Sequence, residues 1–174
     1  METVAAGELV ADEPEADITP SAPRPRWPWI AGTTLSGLGL VVAGYLTYEH
    51  YTSSTTLNCP AGGGIVNCFK VTTSQYATIH GFPVVVLGLM FFAVMIGLQS
   101  RPAWASASPR VRVGRLLWSL TGVGTAAWLV YAELFELHAI CVWCTAVHVI
   151  CLLLLGLTAF GTAATGSFAL ADDD

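Results

Sequence analysis

Charge is what this chain has least of. Only 11% of its 174 residues are Asp, Glu, Lys or Arg, and 54% are hydrophobic. A soluble domain averages about 25% charged residues, so the composition excludes an ordinary water-soluble globule and points to lipid as the main solvent. Acid is scarcest in the middle. Of twelve carboxylate residues, six precede residue 18 and three are Asp172, Asp173 and Asp174, which leaves Glu49, Glu133 and Glu136 between them. The net charge of −5 therefore belongs to the tails, and nucleic-acid binding has no support. Missing too is a basic start followed by an early apolar core, so the N-terminus does not read as a secretory signal. Residue 145 is Thr, which removes the histidine that haem attachment through Cys-x-x-Cys-His requires.

What is present is a series of apolar runs. Residues 1–26 are acidic and rich in Pro and Ala, and they read as a disordered tail. Arg24 and Arg26 followed by Trp27 and Trp29 form the basic-then-aromatic pattern of a membrane interface. Spans of roughly bilayer length are expected over residues 29–48, 81–98, 116–132 and 139–160, with a short tail over 163–174. Pro83 would stand in the first turn of the second span. In the first, Gly32/Ser36 and Gly39/Ala43 are small pairs at a spacing that lets another helix approach closely. The fold class implied is an all-α integral membrane protein. Its four-helix transmembrane bundle (residues 27–162) carries a long cysteine-bearing outer loop between the first two helices. Residues 99–115 read as a short basic loop. Four spans put both tails and that loop on one side, together with six arginines, against the single Lys70 on the other. The positive-inside rule then places both termini in the cytoplasm of a plasma-membrane protein, and the cysteine pairs on the outer, oxidising face.

Five cysteines are the remaining resource. Cys141 and Cys144 form a Cys-x-x-Cys at the mouth of the last span. On a helix that spacing puts the Cα atoms about 5 Å apart, within disulfide reach. A structural staple closing so short a loop adds little stability, so a redox role is preferred. Helical rotation gathers Cys141, Cys144, His148 and Cys151 into one stripe, and the helix N-terminus favours the reactive thiolate at Cys141. His148, one turn below the thiols, is placed to donate a hydrogen bond to a lipid-soluble acceptor. Cys151 reads as a small buried hydrophobe. Glu133, Glu136 and His138 border the same mouth, where they either pass protons or serve as plain surface groups. Cys59 and Cys68 lie in the outer loop around a Pro60-Ala61-Gly62-Gly63-Gly64 run. Alone they suggest a structural bridge; beside a membrane Cys-x-x-Cys they suggest a mobile pair that exchanges disulfides with it. A zinc site is the competing use of four cysteines, and the Cys-x8-Cys spacing and the oxidising side disfavour it.

Taken together, the loop pair, the stretch Ser74-Gln75-Tyr76-Ala77-Thr78-Ile79-His80-Gly81-Phe82-Pro83 and Cys141-Val142-Trp143-Cys144 resemble the vitamin K epoxide reductase family in its bacterial single-domain form. The resemblance covers residues 29–160. It implies a quinone (menaquinone or ubiquinone) held beside Cys144, which would reduce it. Cys141 would exchange with Cys68 through a transient Cys68–Cys141 bridge, with Cys59–Cys68 and Cys141–Cys144 as the two redox disulfides. Cys59 would meet the partner, and Ser74 would sit on a short segment lidding the quinone pocket. His148 stands where vertebrate relatives carry a quinone-facing tyrosine, and their second-span asparagine has no counterpart, so quinone reduction is expected rather than epoxide reduction. Many bacterial relatives carry a fused thioredoxin-like domain. Residues 1–174 hold none, so the partner is expected to be a separate DsbA-like thioredoxin-fold protein. The Dsb-type membrane oxidases share the chemistry but carry the two cysteine pairs in the opposite order. The alternative from another class is a non-catalytic membrane protein with structural disulfides or a metal site.

Overall fold

Helices α1 (Trp27–Thr52), α3 (Val84–Gln99), α5 (Pro109–Tyr131) and α6 (Val142–Ala164) make up most of the protein, seen here in a computed structural model that describes residues 26–52, 59, 63–106 and 108–164. Between them come two short helices, α2 (Cys68–Thr72) and α4 (Arg101–Ala105), and a two-residue antiparallel hairpin, β1 (Thr78–Ile79) with β2 (Phe82–Pro83). Three helices are long and apolar enough to cross a membrane: Trp27–Thr52, Pro109–Glu136 and Val142–Ala164. Several of their hydroxyls bond back to their own helix, as Ser36 does to the Gly32 carbonyl (2.7 Å) and Thr47 to that of Ala43 (2.7 Å). In lipid this spares those hydroxyls the need for water. Large apolar side chains such as Val41 and Phe160 face outward, as a lipid-facing surface allows.

The expected second span is the one that differs most. Residues 81–83 belong to the hairpin and its turn, with Gly81 at φ +84°, so α3 starts only at Val84 and Pro83 precedes the helix rather than standing inside its first turn. Its 16 residues extend about 24 Å, short of the ~30 Å hydrocarbon core. The expected basic loop is also largely helical. Arg101 begins α4, and α5 begins at Pro109, a residue whose missing N–H costs nothing in a first helical position. Arg110, Arg112 and Arg115 therefore lie on α5. α5 continues as a single π-turn, Ala132–Glu136, closed by Leu137 N–H donating to the Ala132 carbonyl at 2.8 Å. The long polar connection after α1 holds α2, a 3-10 turn over Gln75–Ala77 and the hairpin rather than a structureless loop. The tail over residues 1–25, most of the second tail and the Pro60-to-Gly62 run lie outside the described residues.

The small pairs on α1 are buried together. A Cβ on Gly39 would collide with the Phe92 ring, and one on Gly32 would stand 2.7 Å from Gln99 Oε1, so α3 packs directly on the α1 backbone. Phe92, Met95, Ala43, Cys151 and Leu154 form the apolar core between α1, α3 and α6. At the end of the bundle away from the hairpin, the interior turns polar. Gln99 Nε2 donates to Thr158 Oγ1 at 2.9 Å, Trp104 Nε1 donates to Gln99 Oε1 at 2.8 Å, and Thr33 Oγ1 donates to the Gln99 carbonyl at 3.1 Å. The buried Arg115 guanidinium lies over the Trp104 ring, 3.5 Å from its centroid.

Candidate active site

Cys141 is not in the helix it was expected to share with Cys144; it caps it. Its carbonyl accepts the Thr145 N–H at 2.9 Å, and its sulfur accepts the Cys144 N–H at 3.3 Å and the Cys144 thiol at 2.6 Å. A sulfur in this position sits against the positive end of α6, where a thiolate is favoured. The hydrogen bond from the Cys144 thiol, aided by the Cys144 N–H, holds Cys141 below the ordinary thiol value against burial and the Glu133 charge. Cys141 is fully buried and Cys144 partly exposed, both as free thiols.

The loop pair is joined. Cys59 and Cys68 form a disulfide with Cα atoms 5.8 Å apart. Cys68 opens α2, whose preceding residue, Asn67, accepts the Lys70 N–H through Oδ1 at 2.9 Å. The two cysteine pairs meet through the backbone. Ile140 N–H donates to the Ile65 carbonyl at 2.9 Å and Asn67 N–H to the Ile140 carbonyl at 3.0 Å, a parallel bridge between Val66 and Ile140. Cys141 follows that bridge by one residue and Cys68 by two, so the bridge ties together the two segments that carry the buried cysteines. Lys70 Nζ adds a tie to the Leu137 carbonyl at 2.6 Å.

Cys144 is also on the wall of a cavity of about 320 Å³ among α1, α3, α5 and α6. Of the expected stripe, Cys144, His148 and Cys151 line it and Cys141 does not. The rest of the lining is almost wholly apolar, with Leu46, Val84, Phe91, Trp118 and Leu129 among its walls. Phe91 and Trp118 stack with ring centroids 5.9 Å apart. His148 is buried, and its Nδ1 has no hydrogen-bond partner. An apolar slot of this size, with two free thiols, Cys144 and Cys151, and a histidine with an unpaired nitrogen in its lining, suits a flat, lipid-soluble molecule. Among the described residues no group of three or more His, Cys, Asp or Glu is placed to hold a metal ion.

Ser74 lies in a second, smaller cavity of about 50 Å³, which shares Cys144, Val84, Val85 and Leu129 with the first. Its hydroxyl donates to the Val71 carbonyl at 2.8 Å, closing the turn that starts the 3-10 segment. So Ser74 stands on a short segment over the site but faces the side chamber. Glu133 lines that chamber too, and the three groups read together in the sequence separate here: Glu133 is buried, while Glu136 and His138 are exposed. The sequence places all three at the mouth, and it is the π-turn over Ala132–Glu136 that carries the one buried carboxyl among them.

A model of the vitamin K epoxide reductase family matches residues 28–159. The chain belongs to that family. Over 82 residues it is also 32% identical to the thiol-disulfide oxidoreductase LTO1 of Arabidopsis thaliana, an alignment covering 47% of this chain and 21% of the relative. The chain thus spans about one fifth of the curated relative it matches. The family and this relative, with the three apolar helices, support a membrane protein with a thiol-redox role.

Proposed function

We propose that this member of the vitamin K epoxide reductase family carries electrons from a reduced DsbA-like thioredoxin-fold protein to a membrane quinone. The route runs through Cys59/Cys68 and then Cys141/Cys144, on the outer face of a four-span bundle whose termini are cytoplasmic, and it supports disulfide formation in exported proteins. The observation that carries this reading is the double position of Cys144: its thiol is bonded to Cys141 on one side and lines an apolar cavity with the unpaired His148 Nδ1 on the other. Cysteine pairs used only as staples need no such cavity.

The backbone bridge between Val66 and Ile140 supports an exchange between the two pairs. With the loop pair reduced by its partner, the Cys68 thiolate attacks the Cys141 sulfur of a closed Cys141–Cys144 bond, and Cys144 leaves as a thiolate. Cys59 then attacks Cys68, re-forming Cys59–Cys68 and releasing Cys141. Two electrons and two protons have then passed from the loop pair to the helix pair. The redox state seen, with Cys59–Cys68 joined and Cys141 and Cys144 free, is the one left by this step. A bound quinone supplies a two-electron, two-proton acceptor. The low pKa of Cys141 keeps it the better leaving group toward Cys68, while Cys144 holds its proton for the hydrogen bond and faces the acceptor. His148 orients the ring by a hydrogen bond to a carbonyl oxygen.

The test supplies purified protein with a menaquinone or ubiquinone analogue and a reduced thioredoxin-fold protein, and follows quinone absorbance. Cys141→Ala and Cys144→Ala are each expected to stop reduction while still inserting into membrane. Wild-type rates in both, or stoichiometric zinc in a redox-inactive protein, would overturn the scheme.

A further inference from the structure

The π-turn that ends α5 has one effect on the site: it brings a carboxyl group to the dithiol. Glu133 is 4% exposed, and its Oε2 accepts the Cys141 N–H at 3.4 Å. Its own carbonyl accepts the Ala139 N–H at 3.0 Å, and His138 turns the chain at φ +48°, so the backbone between Glu133 and Cys141 is folded back on itself. Turns of this kind inside α-helices recur at functional sites. A buried carboxyl is expensive, and a structure that re-aims one inward against thiols invites a chemical reason.

We propose that Glu133 is the proton-handling carboxyl of the Cys141–Cys144 pair. It accepts the Cys141 proton when the disulfide closes, and it returns a proton when the disulfide opens. The inference rests on the reading above that this pair cycles, and it is independent of which molecule takes the electrons.

The balance is as follows. Closing the bond converts two thiols to a disulfide, sending two electrons to the acceptor and freeing two protons. The Cys144 proton is released on the cavity side. The Cys141 proton has no route there, because Cys141 does not line that cavity; the carboxylate beside it takes that proton. On opening, the Cys141 thiolate is released into a fully buried position next to Glu133, and the neutral carboxyl hands it a proton, so the pair carries a single negative charge throughout. The side chamber of about 50 Å³ connects Glu133 with Cys144 beneath the lid, and completes the path. The groups facing it are His50 from α1, Tyr76 from the 3-10 turn and Cys144 from α6. Lys70 of α2 is engaged with the Leu137 carbonyl, and Glu136 and His138 on the same segment are exposed.

Two measurements on the full-length protein test this. The first is alkylation of Cys141 in the reduced protein by a small reagent across pH, in wild type and Glu133→Gln. The Glu133 charge opposes the Cys141 thiolate, so its removal should move the alkylation midpoint to lower pH. An unmoved midpoint would overturn the proposal whether or not a quinone is the acceptor. The second is single-turnover oxidation of the reduced pair. Glu133→Gln, which keeps the hydrogen bond to Cys141 N–H, should slow it by roughly a hundredfold near neutral pH and flatten its pH profile. Glu133→Asp should recover part of the rate. A Gln variant with the wild-type rate and profile contradicts the proposal. If wild type fails to reduce any quinone but the midpoint shift holds, the carboxyl–thiol coupling stands and the quinone reading falls.

Discussion

Both ends of the bundle bury polar groups, and they use them differently. At the end away from the hairpin, Thr158, Trp104 and Thr33 each bond to Gln99, and Arg115, whose Nε and Nη1 are buried without a hydrogen-bond partner, lies against the Trp104 ring away from any cavity wall. Around it α1 and α3 touch so closely that neither Gly32 nor Gly39 has room for a methyl group. At the cysteine end, two thiols share one hydrogen bond, a histidine nitrogen is unpaired, a carboxyl is folded inward and a cavity stays open. Polar groups that satisfy one another hold a structure together; polar groups left facing a cavity are disposed toward something else. The contrast assigns stability to one end and chemistry to the other.

Mutations at each end should therefore fail in different assays. The largest effect is expected from Cys144→Ala, which should reduce quinone turnover to that of a protein-free control without altering resistance to denaturation; an unfolded variant would break the division. Next comes Gly39→Leu at the packed interface. Overfilling it should cost about 1–3 kcal/mol of stability, read by denaturant titration in detergent, with the redox potential of the cysteine pairs unchanged. Thr158→Val should cost about 1–3 kcal/mol, since it leaves Gln99 Nε2 buried without its acceptor. His148→Leu should weaken quinone binding by roughly tenfold while leaving stability equal or higher, because it removes an unpaired buried nitrogen. The smallest effect concerns Cys141. Its pKa is lowered chiefly by the Cys144 thiol, so in Cys144→Ala the pH midpoint for its alkylation should rise toward the ordinary value of about 8.5. A fall instead would place the dominant cause elsewhere.

Much of the cysteine end was legible in the sequence because its signals are local. The stripe of Cys144, His148 and Cys151 follows from helical rotation alone, and all three line the cavity. The small pairs on α1 were legible too, for the same reason of period. What could not be read depends on departures from period. The sequence groups Glu133 with Glu136 and His138 at the mouth without telling the buried carboxyl from the exposed groups, and the hairpin takes residues 81–83 from α3. The cap role of Cys141 comes from where α6 begins, a boundary set by the Val66–Ile140 bridge from a distant segment. The polar cluster at the other end was missed because Thr33 and Thr158 are far in the chain from Gln99 and Trp104 and no motif joins them. There the arginines read as a basic loop, and Arg115 is instead buried beneath an indole.

The central claim is that electrons leave the protein at the Cys141–Cys144 pair. The most direct test is a single turnover in lipid nanodiscs. Fully reduced protein is mixed with one equivalent of a menaquinone analogue, and quinone absorbance and the alkylation mass of each cysteine are followed together. One quinone reduced for each Cys141–Cys144 disulfide formed, ahead of any Cys59–Cys68 closure, is the predicted result. Quinone reduced while Cys141 and Cys144 both remain thiols would contradict it.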